Sequence, residues 1–132
     1  MRLNTFQRRA LDKSIQKWEK VVVDISSKKR VSEYGRLDCE CCIQFLHNEL
    51  CYDCPIFQYT GKHRCLGTPY TQWSQAAQNG VKDRNKLLIL AKNELTFLQD
   101  VREKALKTTF FGKIYLWITS WKDKLLHYGK AF

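Results

Sequence analysis

"LDCECCIQFLHNELCYDCPIFQYTGKHRCLGTPYTQW", residues 37–73, contains all six cysteines of the 132-residue chain. The spacing is C-x2-C-x8-C-x2-C-x10-C, which corresponds to Cys39, Cys42, Cys51, Cys54 and Cys65, with Cys41 inside the first pair. Two C-x2-C pairs can bring four sulfurs to one tetrahedral metal ion, because a two-residue turn lets both thiols of a pair point inward. The spacing therefore predicts a metal site formed by these five cysteines in the middle of the chain.

Zinc is the metal that this pattern favours, because it accepts four cysteines, or three cysteines and one histidine, and needs no redox partner. Closed zinc sites of this kind are structural. His47 and His63 lie inside the stretch and are candidate replacement ligands. Such a site contributes about 10–16 kcal/mol of apparent binding energy to local folding. Three alternatives remain open: an iron–sulfur cluster, for which the Cys54-Pro55 pair is a weak indication, disulfides, and free or redox-active thiols.

Apolar residues at helical spacing predict two long helices on either side of the cysteine stretch. The first stripe comprises Leu11, Ile15, Trp18, Val22 and Ile25, and the second comprises Leu88, Ala91, Leu95, Leu98, Val101 and Ala105. Asn4 or Thr5 is the expected cap of the first helix and Asp83 that of the second. Thr68-Pro69 predicts the start of a short helix over residues 70–78, with Thr68 as its cap.

The predicted fold is mainly α: two long amphipathic helices around a cysteine-rich metal-knuckle loop module, followed by a C-terminal aromatic helix. We expect one helical domain over residues 1–107, with the cysteine module at 37–73, and an aromatic helix or tail over residues 108–132. This tail, "TTFFGKIYLWITSWKDKLLHYGKAF", contains Trp117 and Trp121. Because tryptophans are frequent in protein interface hot spots, these two are candidate contacts to a partner protein; closing the core and lying on a membrane surface are the alternatives.

The formal charge of +10 is unevenly distributed. Residues 1–36 carry a net charge of +6 and residues 37–73 carry −2, while the two remaining stretches, 74–107 and 108–132, carry +3 each. Such a basic surface is attracted to nucleic acid or to an acidic protein, although it also serves solubility. The candidate nucleic-acid-binding residues are Lys28, Lys29, Arg30 and Arg36, with possible extension along the first helix by Arg8, Arg9, Lys13, Lys17 and Lys20.

Several short motifs together resemble a family of small cysteine-rich proteins encoded by bacteriophages and their bacterial hosts. The motifs are "KWE" in the first helix, the ordered cysteines with "CP", then "TPY" and the tryptophan at position 73. The resemblance covers about residues 14–101, and Cys41 departs from it because the family pattern has an apolar residue there. It implies a metal-binding core and a phage setting, and it points to no reaction.

Motifs typical of enzymes are absent from the sequence: it has no Gly-rich phosphate loop, HExxH or GxSxG. His47-Asn48-Glu49 matches half of the zinc-deaminase pattern, but the proline follows the second cysteine instead of preceding the first. We therefore predict no catalytic residues. The absence of an apolar signal segment and of any long apolar run leads us to expect a cytoplasmic protein, in the host cytoplasm if it is viral.

The function expected from these features is that of a small, non-enzymatic, zinc-binding accessory protein of phage type. Its expected partner is nucleic acid or a nucleic-acid-processing complex. The alternative is an inhibitor or adaptor that docks a host protein through the aromatic C-terminal helix, and an iron–sulfur protein is the third possibility.

Overall fold

The computed structural model of the chain describes residues 1–27, 39–47 and 50–107. These ranges contain all six cysteines and both of the long helices expected on either side of them. The predicted basic patch at Lys28, Lys29, Arg30 and Arg36 lies outside the described residues, as does the predicted aromatic helix with Trp117 and Trp121.

The described residues form five α-helices and one short 3₁₀ turn. In chain order they are α1 (Thr5–Ser26), α2 (Glu40–Phe45), α3 (Pro55–Thr60), the 3₁₀ turn (His63–Cys65), α4 (Pro69–Gln78) and α5 (Arg84–Lys107). Extended structure in these ranges is confined to one isolated antiparallel bridge between His47 and Leu50. The prediction of a mainly α fold, with long helices on either side of a cysteine-rich loop region, is confirmed.

The start of α1 is fixed by a reciprocal pair of hydrogen bonds. The backbone N–H of Gln7 donates to Asn4 Oδ1 at 2.8 Å, and the backbone N–H of Asn4 donates to Gln7 Oε1 at 2.8 Å. This capping box satisfies backbone donors that the first helical turn leaves without a partner. Of the two residues predicted to cap the helix, Asn4 does so.

The other predicted caps have different outcomes. Asp83 Oδ1 accepts from the backbone N–H of Asn85 at 3.0 Å, so the prediction for α5 is confirmed. Helix α4 begins at Pro69, one residue before the predicted range of 70–78, and the Thr68 side chain makes no capping hydrogen bond. Its hydroxyl instead donates to the Cys65 carbonyl at 2.7 Å. Thr68 therefore stabilises the preceding turn, which carries a cysteine, and the prediction that its side chain caps α4 is wrong.

Helices α1 and α5 pack against each other in antiparallel order. The Asp12 carboxylate lies 3.7 Å from the Arg102 guanidinium, whereas Arg84, at the other end of α5, donates to the carbonyl of Ile25 at 3.4 Å. Two small residues of α5, Ala91 and Ala105, are buried at 0 % and 6 % exposure. This pair of helices forms the frame on which the cysteine region rests.

The predicted helix faces are close to the observed ones, but each helix shows a difference. On α1 the residue buried most deeply near position 22 is Val21, at 4 % exposure, while Val22 is only half-buried. On α5 the buried position near Leu95 is Glu94, which is 2 % exposed. Both differences arise because hydrophobic periodicity defines the centre of a helix face and not its edges, where the neighbouring element decides burial.

Aromatic packing connects α4 to α1. The Trp18 ring meets the Trp73 ring edge-to-face, with 5.2 Å between ring centroids, and meets the Tyr70 ring at 6.3 Å. Trp18 and Trp73 are each 3 % exposed. Since edge-to-face contacts are favourable for aromatic rings, they hold α4 and the preceding turn against the helix pair. Among the described helices, none is long and apolar enough to cross a membrane.

Candidate metal centre

The six cysteines lie in and between three short elements, of which α2 and α3 contact α1 and the 3₁₀ turn contacts α3. Cys39 precedes α2 and Cys54 precedes α3 at their N-cap positions, and Cys65 ends the 3₁₀ turn. All six are free thiols. The four most buried are Cys41 at 0 %, Cys54 at 3 %, Cys51 at 6 % and Cys65 at 9 % exposure. The structure therefore brings together cysteines that are up to 26 positions apart in the sequence.

Cys41 lies at the inner side of this cluster, against α1. Its pKa is raised by interaction with the thiols of Cys39 and Cys54 and by burial. On its other side, the Ser14 hydroxyl lies 3.5 Å from Cys41 Sγ and 4.0 Å from Cys39 Sγ. Ser14 is itself 1 % exposed. A serine inside the apolar stripe of α1 thus provides the polar contact between the frame and the thiols.

The contacts among the thiols separate their acidities. Hydrogen bonds from Cys41 and Cys42 hold the pKa of Cys39 well below its usual range, and the Cys41 thiol likewise lowers the pKa of Cys54. The donors respond oppositely, because giving a hydrogen bond to Cys39 raises the pKa values of Cys41 and Cys42. Burial raises the pKa of Cys65, with a further contribution from the neighbouring charges. Negative charge is therefore favoured on Cys39 and Cys54, the two thiols that precede helices.

Backbone amides contribute to the same pattern. The N–H of Cys42 lies close enough to Cys39 to lower its pKa, and the N–H groups of Ile56 and Phe57 do the same for Cys54. Neither thiol makes an aligned capping hydrogen bond with its helix, so these are proximity effects of the first helical turn. Amide donors directed at sulfur are the usual surroundings of thiolates that bind metal.

Cys51 has different neighbours. Its sulfur accepts a hydrogen bond from the backbone N–H of Arg64 at 3.3 Å and lies 3.5 Å from His63 Nδ1. The same Nδ1 accepts from the backbone N–H of Cys51 at 3.0 Å. The imidazole is stacked on the Phe57 ring, with centroids 4.4 Å apart. His63, a candidate ligand, is thus engaged beside Cys51, and the other candidate, His47, is exposed at the isolated bridge with Leu50.

Two charged residues near the cluster were missed by sequence reasoning. Lys17 lowers the pKa of Cys39 through its positive charge, and the buried Glu94 raises that of Cys65. Glu94 and Ser14 both occupy positions on otherwise apolar helix faces, which is the signal that could have identified them. The helical pattern places Lys17 on the outer face of α1, but its side chain is half-buried.

The donor chemistry of the cluster fits a thiophilic divalent metal such as zinc, since it offers several buried cysteines, of which Cys39 and Cys54 have lowered pKa values. The arrangement is not that of a finished centre: within residues 1–27, 39–47 and 50–107, no three histidine, cysteine or acidic side chains surround a common point at ligand distance. The assignment of Cys39, Cys42, Cys51, Cys54 and Cys65 as ligands stays a prediction. Comparisons of the chain with protein-family models, curated proteins and solved structures found no match.

Proposed function

We propose that this chain is a small, non-enzymatic accessory protein of phage type, in which one zinc ion organises the cysteine region and the basic outer face of α1 binds nucleic acid. The observation that carries the proposal is that Cys39 and Cys41 meet the Ser14 hydroxyl of α1, while the buried Cys54 and Cys65 interact with Cys41 and Cys42. In this proposal the zinc ion stabilises the cysteine region, and the outer face of α1 is the surface that binds nucleic acid.

The short helices of the cysteine region need a further source of stability, which a structural metal ion would supply. Helices α2 and α3 have six residues each, far fewer than the roughly 12–15 that an isolated helix needs to be even marginally stable in water. Both contribute only a few residues to the core, and exposed apolar side chains such as Ile43 and Leu66 show that burial there is incomplete. A bound zinc ion would supply the missing folding energy, as it does in small metal-dependent domains.

The proposed nucleic-acid surface is a basic stripe formed by Arg9, Lys13 and Lys20, all of which are exposed. At about 100° per residue, these three positions lie within about 40° of one another on α1, and they span about 17 Å along its axis. They project opposite the buried face that contains Leu11 and Trp18. Lys13 also forms an ion pair with Glu40 at 3.5 Å, which places α2 beside the stripe. Positive side chains in a row suit the phosphate backbone, which is contacted without sequence selectivity.

Metal content is the first test. Native mass spectrometry of the purified chain, with elemental analysis, should find one zinc ion per chain, and removal by a strong chelator should lower the helical circular dichroism signal and the unfolding midpoint. Iron with sulfide would instead identify an iron–sulfur protein. A chain that carries neither metal and keeps its midpoint in chelator would refute the metal part of the proposal.

DNA binding is the second test, with a charge-matched control. The variant Arg9→Gln/Lys13→Gln/Lys20→Gln should bind unrelated DNA more weakly, and the slope of log affinity against log salt should fall by about 2–3 because three phosphate contacts are lost. The control replaces the exposed Lys82, Lys86 and Lys92 by glutamine, which removes the same charge elsewhere.

Equal loss of affinity in the stripe variant and the control would refute the stripe as the binding surface. Absence of DNA binding by the unaltered chain at about 50 mM salt would refute nucleic acid as the partner, since phosphate contacts are strong under those conditions. In that case, capture of a host protein that is abolished by deleting residues 108–132 would support the adaptor alternative.

A further inference from the structure

We propose that the nucleic acid bound by the basic stripe is single-stranded, and that the exposed rings of Phe6 and Tyr52 stack on its unpaired bases. The inference rests on the proposed binding of nucleic acid and deepens it by naming the form of the ligand. It includes single strands of both DNA and RNA, because a base presents the same kind of flat face in either.

Phe6 lies on the basic face of α1. It is 72 % exposed, and at about 100° per residue its position lies within about 60° of Arg9, Lys13 and Lys20. The same spacing puts it about 140° away from Leu11, on the buried face. A single exposed apolar side chain needs no explanation, but an aromatic ring at the end of a row of positive charges combines the two elements of a site for single-stranded nucleic acid.

Tyr52 carries the second ring, which two other rings hold in place. It lies nearly perpendicular to the rings of Phe57 and His63, at centroid distances of 5.4 Å and 4.7 Å, and these two rings stack on each other at 4.4 Å. The three distances place Phe57 and His63 on the same side of Tyr52. Tyr52 is nevertheless 59 % exposed, so its ring is accessible to a ligand and loses little freedom when a base stacks on it.

Positive charge lies beside Tyr52 as well. The backbone N–H of Arg64 donates to the sulfur of Cys51 at 3.3 Å, so the segment that carries Arg64 runs next to Tyr52. Arg64 and Lys62 are both exposed. Their two positive charges exceed the single negative charge of the adjacent Asp53, and they suit the phosphates on either side of a stacked base.

One hydrogen bond brings the two rings to the same end of the stripe. Gln7, the residue after Phe6, donates from Nε2 to the carbonyl of Asp53, the residue after Tyr52, at 2.7 Å. The turn that carries Tyr52 is therefore fixed beside the first turns of α1, where the stripe begins. A strand whose phosphates follow the stripe reaches both rings at this end.

The two rings distinguish single strands from duplexes. In a duplex each base is already stacked and paired, so an aromatic side chain reaches its face only if the duplex is kinked, which costs energy. The bases of a single strand are free to stack on protein rings, and replacing such a ring by alanine weakens binding about 5–150-fold per base. Because phosphate contacts are available in both forms, the rings decide the preference.

The test measures the preference of the full chain for single strands. Fluorescence anisotropy gives the affinity for an oligothymidylate and an oligouridylate of about 16 nucleotides, the upper end of the site sizes of single-strand-binding domains, and for a DNA duplex of the same length. The unaltered chain should bind at least one single strand more tightly than the duplex. Phe6→Ala and Tyr52→Ala should each weaken single-strand binding about 5–150-fold, and more than they weaken duplex binding.

Matched variants separate stacking from folding. Phe6→Leu keeps an apolar side chain without the ring and should bind like Phe6→Ala, whereas Phe6→Trp keeps a ring and should bind at least as tightly as the unaltered chain. The control is Ile89→Ala: Ile89 is 60 % exposed on α5, so this change removes a comparable apolar surface and should leave binding unchanged. Urea midpoints establish that each variant is folded.

The outcomes separate this inference from the function on which it rests. Equal affinities for single strands and duplex, or unchanged single-strand affinity in folded Phe6→Ala or Tyr52→Ala, would overturn the inference and leave the basic stripe as a phosphate-binding surface. Failure to bind any of the three nucleic acids at about 50 mM salt would refute the proposed function itself. Tighter binding of one oligonucleotide than of the other, weakened by both alanine variants, supports the inference and identifies DNA or RNA as the ligand.

Discussion

Replacing Trp18 by alanine should be among the most destabilising single changes in the described part of the chain. Trp18 is 3 % exposed and joins α1 to α4 through Trp73, whose ring centroid lies 5.2 Å away. A buried aromatic ring of this size covers about 150–250 Å², which at about 25 cal/mol per Å² corresponds to about 4–6 kcal/mol. Measured Trp→Ala costs of about 3–5 kcal/mol lie in the same range. We therefore expect a loss of about 4 kcal/mol.

Urea unfolding followed by far-ultraviolet circular dichroism measures this loss. With a denaturant slope of about 2 kcal/mol per M, the midpoint of Trp18→Ala should fall by about 2 M. The matched control is Phe6→Ala on the same helix. Phe6 is 72 % exposed, so its replacement should change stability by no more than about 0.5 kcal/mol.

Equal urea midpoints for Trp18→Ala and Phe6→Ala would refute the packing of Trp18, a residue of α1, against α4. A double-mutant cycle with Trp73→Ala isolates the contact between the rings. Its coupling free energy should be about 0.5–1.5 kcal/mol, and a value near zero would show that the two side chains are buried independently.

Three further changes test the local structure by the same urea assay. Asn4→Ala should cost about 1 kcal/mol because the α1 cap is lost, with Asn4→Asp as the control that retains an acceptor; equal costs for both would contradict the capping box. Gly61→Ala should cost about 1 kcal/mol through backbone strain alone, since Gly61 has φ of +74° and an added Cβ meets no atom within 4 Å; an unchanged midpoint would count against the left-handed turn. Gln7→Glu keeps an oxygen to accept from the Asn4 N–H in the capping box but removes the 2.7 Å hydrogen bond from Gln7 Nε2 to the carbonyl of Asp53, and it should cost about 1–3 kcal/mol by leaving that carbonyl unpaired; a neutral result would argue against this tie between α1 and the cysteine region.

The frame of the molecule was predictable because it depends on local and repetitive signals. The stripes containing Leu11 and Leu98 define helix faces over many turns, and Asn4 and Asp83 mark where the helices begin. Because such signals are repeated along the chain, a wrong prediction of burial at one position does not change the prediction that the segment is a helix. The burial of Val21, where the stripe predicted Val22, shows the limit of these signals. Adjacent residues on a helix point about 100° apart, so only packing against the neighbouring element decides which valine is buried.

Roles that depend on a distant partner were not predictable in the same way. Thr68 has the residue type and position of a helix cap, yet its hydroxyl bonds to the Cys65 carbonyl, because the turn before α4 folds back within its reach. Glu94 has the residue type of a solvent-facing position on α5, yet it is buried near Cys65. In both cases the competing contact comes from a segment whose path is set by the packing of other elements.

By itself, the sequence determined that this chain forms two long helices around a cluster of thiols, since periodicity and cysteine spacing are properties of the chain alone. Only the tertiary structure decided which thiols meet. Cys51 and Cys54 have equivalent places in the spacing pattern, but His63 and the Arg64 amide engage one sulfur while Cys41 contacts the other. The physical reason is that spacing limits the distance between neighbours in a turn, whereas the direction in which each side chain points depends on how separate turns pack against α1.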